Sequence, residues 1–66
     1  MMAVSYTKLW KLLLDKKLKR IHLKELAGIS SSTLAKLGKD EYVSMGSLER
    51  ICGALHCNIG DVVEFT

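Results

Sequence analysis

Three groups of side chains in this 66-residue sequence have the types and spacing to do chemistry. The first is Cys52, His56 and Cys57, soft or borderline metal ligands close together in the chain. Cys52 and His56 stand i, i+4 and would share a helix face, but Cys57 is turned about 100° from His56. No Cys-x-x-Cys pair occurs, and structural zinc sites take four such ligands. Buried free cysteines are the better reading, so no metal site is expected. The second group is Ser30-Ser31-Ser32, three hydroxyls in a row. No His or Asp is spaced with them as a recognisable triad, and His22 has no evident acid–base partner. A phosphate-cradling glycine loop is also missing, so neither a cofactor nor an enzyme is expected.

The third group is ionic and does stand out. Residues 1–39 hold nine Lys/Arg against Asp15 and Glu25, a net of +7. Residues 40–66 hold Arg50 against Asp40, Glu41, Glu49, Asp61 and Glu64, a net of −4. A basic front and an acidic back point to one face for a polyanion and another for something else. A solvated charged surface is the plain alternative.

Length sets the frame for these groups. One domain over residues 1–66 is the natural reading, and a chain this short buries only about 60% of its unfolded surface. That disfavours a deep, water-excluded catalytic pocket. Apolar residues make up 48%, enough for a globular core rather than a disordered chain. Lysines interrupt every hydrophobic run, so no membrane span is expected. Met1-Met2-Ala3-Val4 lacks the charged start and long apolar stretch of a secretory signal, and two cysteines are too few for a disulfide framework. The expected location is cytoplasmic.

The elements that must position the charges read as helices. Tyr6, Leu9, Trp10, Leu13 and Leu14 make one apolar stripe over a helix at 6–17, with Ser5 as its N-cap. A second helix runs from about Arg20 to Ala27, with Leu23, Leu26 and Ala27 inward. Gly28 ends it in a left-handed conformation, Ile29 is a buried turn residue, and Ser30 caps a third helix. That helix spans about Ser31–Leu37, with Leu34 and Leu37 inward and Gly38 as its stop. Residues 39–43 form a charged loop. Ser44 caps a fourth helix at about 45–56, whose inward stripe is Met45, Leu48, Ile51, Cys52 and Leu55. Asn58 and Asp61 open one last turn at 59–63. The β-branched ends Ala3-Val4 and Val62-Val63 leave a pair of short terminal strands open as an alternative. The expected fold class is all-α, with five helices.

The segment from Leu23 to Leu37 is two short helices joined by a three-residue turn opening on glycine. Helices crossing at about 90–120° need such a sharp reversal. Gly-hydrophobic-Ser fits many helical hairpins. The small polar face of the following helix, Ser31, Ser32, Ala35 and Lys36, adds weight, because nothing bulky keeps it out of a groove.

The run Leu23-Lys24-Glu25-Leu26-Ala27-Gly28-Ile29-Ser30-Ser31-Ser32-Thr33-Leu34-Ala35-Lys36-Leu37 resembles the helix-turn-helix of the lambda-repressor-like (XRE) family. Residues 6–13 resemble that family's first helix, and residues 43–61 its fourth helix and the start of its fifth. In its single-domain form the chain also resembles the small VanU-type regulators found with glycopeptide-resistance operons. Three positions depart from the family pattern. Lys24 stands where a small residue is usual, Lys19 and Arg20 replace a hydroxyl cap and Gln, and Gly38 replaces a common Asn.

The resemblance implies a transcriptional regulator that binds double-stranded DNA, with helix three (about 31–37) in the major groove. Ser31, Ser32 and Lys36 match positions that reach base edges. Ser30 and Thr33 match positions nearer the phosphates, and Lys19, Arg20, Lys39 and Tyr42 match places where the DNA backbone passes. A two-fold dimer would supply enough contacts for specificity, with Val62, Val63 and Phe65 as candidate interface residues. Two rivals remain at this stage: an antitoxin-like protein-interaction module using the acidic half, and an RNA binder. Four aromatic residues, two of them on the first stripe, give little to stack on RNA bases.

Overall fold

The computed structural model describes residues 3–66, so the Met1-Met2 part of the N-terminal reading lies outside the described residues. The chain runs β1 (Val4–Ser5), α1 (Thr7–Asp15), α2 (Arg20–Ala27), α3 (Ser31–Gly38), α4 (Met45–Leu55), a 3-10 turn (Ile59–Asp61) and β2 (Glu64–Phe65). Among the described residues the helices number four rather than five. The segment after Asn58 closes a single 3-10 turn: Asp61 N–H donates to the Asn58 carbonyl and Val62 N–H to that of Ile59, each three residues back, and one α-type bond from Val63 N–H to the same Ile59 carbonyl ends it. Val62 still lies in the helical region (φ −113°, ψ −44°), and the chain becomes a strand only from Glu64.

The terminal strands exist, in a different register from the one considered. Val62 and Val63 are spent finishing the turn, so pairing begins later. β1 and β2 are antiparallel, with Val4 opposite Phe65 and Ser5 opposite Glu64. Ala3 and Thr66 extend the ladder with reciprocal backbone bonds of 2.9 and 2.8 Å.

α1 starts one residue later than the stripe implied. Ser5 is in β1 rather than at the cap, though its Oγ still accepts the Thr7 N–H at 3.3 Å. Tyr6 sits just outside the helix and is almost fully buried. The helix ends at Asp15 because Lys17 turns left-handed (φ 56°), which lets the Leu18 N–H reach the Leu13 carbonyl at 2.9 Å. α3 retains Gly38 as its last residue, and the left-handed residue lies further on, at Asp40 (φ 54°). α4 ends at Leu55, with His56 left-handed (φ 53°).

The core gathers Leu9 and Leu13 of α1, Leu23 and Ala27 of α2, Leu37 of α3, and Leu48, Ile51 and Leu55 of α4, sealed by Val4, Tyr6, Ile29 and Val62. α2 packs chiefly on α4. Three residues read as inward face out: Leu14 is 77% exposed, Leu26 59% and Met45 68%. The buried arc of each helix is narrower than its apolar stripe, as a thin core dictates. Val62 is fully buried, which removes it from any dimer surface, whereas Val63 is half-buried and Phe65 exposed. No helix among the described residues is long and apolar enough to cross a membrane.

Candidate nucleic-acid interface

Gly28 makes the turn between α2 and α3. It is left-handed (φ 67°, ψ 32°), and its N–H donates to the Lys24 carbonyl at 3.0 Å, closing α2. Ile29 plugs the crossing and is buried. Ser30 then caps α3: its Oγ accepts the Thr33 N–H at 3.1 Å.

The Ser30 hydroxyl also donates to Thr33 Oγ1 at 3.0 Å and lies 3.1 Å from Ser32 Oγ. One proton and two lone pairs are a serine's full complement. With its proton on Thr33, Ser30 takes the Ser32 proton as well, so the three hydroxyls form a directed chain at the start of α3. The exposed side of α3 is Ser31, Ser32, Ala35 and Lys36; Thr33 and Leu34 are half-buried and Leu37 is buried. A face that is small and polar except for one flexible cation suits insertion into a groove.

Cations flank this face. Lys19 and Arg20 stand at the start of α2, and Lys39 follows α3; all three are exposed. Two cations at the positive end of a helix oppose its macrodipole, and no acidic residue occupies the first turn of α2 to offset them. The lost hydroxyl cap is partly replaced by His22, whose Nδ1 accepts the Lys19 N–H at 3.1 Å. Arg20 is stacked on Trp10, its Cζ 3.8 Å from the ring centroid. Among the described residues the one ion pair is Lys8 with Glu64 at 3.8 Å, away from these groups.

The loop carrying Lys39 and Tyr42 is pinned to the start of α1. Left-handed Asp40 turns its carboxylate to accept the Tyr6 N–H at 3.1 Å. The Tyr6 hydroxyl donates to the Glu41 carbonyl at 2.7 Å. Burial, the larger cause, pushes the Tyr6 phenol above its ordinary value, with Asp40 and Tyr42 adding to the rise against a lowering contact from the Val43 backbone. A neutral phenol therefore holds the loop, while Tyr42 itself is 71% exposed and free to meet a partner.

All nine expected DNA-facing residues thus lie on α2 or α3, at their N-caps (Lys19 and Ser30), or in the loop after α3. Sequence reasoning missed the two supports, Tyr6 under the loop and Trp10 under Arg20. The His22 bond had a legible signal, since it stands three residues after the cap, where Glu or Gln completes a capping box. Cys52, His56 and Cys57 do not assemble: no group of three or more metal-ligating side chains gathers among the described residues. His56 closes α4 and is exposed, and burial, reinforced by Cys52, pushes the Cys57 thiol up.

Comparison with known proteins matches this geometry. The family of Cro/C1-type HTH DNA-binding domains matches residues 8–66. The uncharacterised HTH-type transcriptional regulator YozG of Bacillus subtilis (strain 168) is 36% identical over 56 residues, covering 82% of this chain and 67% of that protein. The crystal structure of the transcriptional regulator VanUg is similar with a TM-score of 0.95 and 52% identity, over 98% of this chain and 87% of that one. The chain belongs to the Cro/C1-type helix-turn-helix family and is a DNA-binding transcriptional regulator similar to VanUg.

Proposed function

We propose that the chain regulates transcription as one domain over residues 1–66, by placing α3 in the major groove of its operator. Ser31, Ser32 and Lys36 contact base edges. Lys19, Arg20, Lys39 and Tyr42 contact the backbone on either side, with Thr33 and the cap residue Ser30 nearest the phosphates at the helix start. The observation that carries this is the exposed small face of α3 between unpaired cations of α2 and the following loop. The chain acts in the cytoplasm by binding alone, without a chemical step or cofactor. Its likeness to VanU-type regulators supports a place at a glycopeptide-resistance operon.

A two-fold dimer supplies two such faces about 34–36 Å apart. Phe65, 59% exposed, and half-buried Val63 contribute to its interface. They line an apolar groove with Tyr42, Met45 and Ile59. Gel shifts against duplexes of its own upstream DNA and a scrambled control test the reading. Lys36→Ala narrows the preference between the two duplexes, by about 1–3 kcal/mol if its contact is bidentate. Lys39→Ala weakens both alike and flattens the log–log salt slope by about 0.9. Phe65→Asp keeps the helical spectrum and loses affinity only for a two-half-site operator. Equal binding to operator and scrambled duplex by the wild type overturns specific readout, and unchanged affinity of Phe65→Asp overturns the interface.

A further inference from the structure

Arg20, Trp10 and Gly38 come from three different helices and meet at one point. The Arg20 guanidinium carbon lies 3.8 Å from the centroid of the Trp10 ring. A Cβ built on Gly38 would stand 3.3 Å from Arg20 Nη1, closer than most such contacts. Gly38 does not have a positive φ, so its backbone conformation does not call for glycine. Glycine is also poorly suited to a helix. What a side chain at 38 would crowd is the guanidinium, which would have to give way by a few tenths of an ångström.

We infer that Trp10 and Gly38 are positioning residues: the indole face and the bare end of α3 clamp the Arg20 guanidinium so that it meets a DNA phosphate already oriented. The inference rests on the DNA-binding reading above. Stacking engages the face of a guanidinium and leaves its in-plane N–H donors free for phosphate oxygens. A free arginine loses side-chain freedom on gripping a phosphate, and a clamped one has already lost it. The position itself supports the assignment. A cation at the start of α2 opposes the helix dipole, a placement that fold stability alone does not favour. The clamp also fixes Arg20 to the end of α3, so the backbone contact and the base-reading helix hold one geometry.

Phosphate contacts are independent of sequence, so a short duplex of arbitrary sequence at low salt is a sufficient probe. Arg20→Ala flattens the log–log salt slope by about 0.9. Trp10→Leu, which keeps bulk but removes the π face, weakens binding by about threefold, and Trp10→Phe recovers most of the loss. Gly38→Ala weakens binding similarly while its melting temperature stays level or rises, because Ala suits the end of α3 better. All of these losses vanish when the same changes are made in the Arg20→Ala background. Trp10 is the sole tryptophan, so the clamp is also read without DNA: Arg20→Ala shifts its fluorescence emission. Identical emission in wild type and Arg20→Ala overturns the clamp. So do losses from Trp10→Leu and Gly38→Ala that persist in the Arg20→Ala background. A wild type that binds no duplex even at low salt, with the emission shift present, overturns instead the DNA-binding reading and with it the phosphate role.

Discussion

Tyr6→Phe removes one oxygen atom from a buried position and leaves the ring in place. The hydroxyl donates at 2.7 Å to the Glu41 carbonyl, 35 residues away. A hydrogen bond of this kind contributes a net of about 0.5–1.5 kcal/mol. The pair is only part-buried, so water can reach the abandoned carbonyl and the cost stays near the middle of that range. About 1 kcal/mol lowers the melting temperature of a domain this size by about 4–8 °C. The pH dependence carries a second signature. The folded pKa of Tyr6 lies above its ordinary 10.0, chiefly through burial. Its contribution is therefore fully present below about pH 10 and is lost as pH rises through the folded pKa. Phe has no such group, so the stability gap between wild type and variant narrows on the alkaline side. Thermal melts followed by circular dichroism at neutral pH and in steps above about pH 9 measure both effects. A variant that melts with wild type at neutral pH, and keeps the same alkaline profile, would refute the idea that this phenol pins the loop carrying Lys39 and Tyr42.

Gly28→Val costs about 1–3 kcal/mol, and the cost is backbone strain alone, since a Cβ there meets nothing within 4 Å; Gly28→Asn recovers much of it, and equal melts for all three proteins would remove the left-handed turn from the account. His56→Gly stabilises the chain by about 0.5–1 kcal/mol, because His56 holds the left-handed cap of α4 at φ 53°. An unchanged or lower urea midpoint contradicts it. His22→Ala costs about 0.5–1 kcal/mol by freeing the Lys19 N–H, and His22→Gln, which restores an acceptor at that position, returns most of it in the same melt.

The α2–turn–α3 unit was legible because its determinants are local. Gly28 and Ser30 announce a left-handed stop and a cap within three residues, and both do what their chemistry implies. The wider fold was less so. Periodicity locates the apolar side of a helix but not how much of it the domain covers, and Leu14, Leu26 and Met45 fell outside the arc. Val62 was a candidate for the dimer interface, yet it is fully buried and belongs to the core. In the interface, the cations and hydroxyls around α2 and α3 were assigned through the family resemblance, position by position. Their supports could not be assigned that way, since Tyr6 reaches Asp40 and Glu41 across 34 and 35 residues and no local pattern encodes that distance. Trp10 was read as a core residue by its stripe; it is half-buried and spends its open face on Arg20.

The reciprocal bonds between Ala3 and Thr66 have a kinetic meaning. Helical hairpins such as α2–α3 close short loops and form early. The terminal ribbon closes a loop of some 60 residues, at an entropic cost of roughly 4 kcal/mol, repaid only when Val4 and Val62 join the buried core. Order therefore spreads from the reading head toward the ends, and unfolding should begin where the ends meet. Amide exchange at Ala3 and Thr66 would then run ahead of that in α2 and α4. A transient opening of this seam would bare apolar surface beside the same groove that a second subunit is proposed to fill, so pairing of two copies would slow unfolding as well as lengthen the operator.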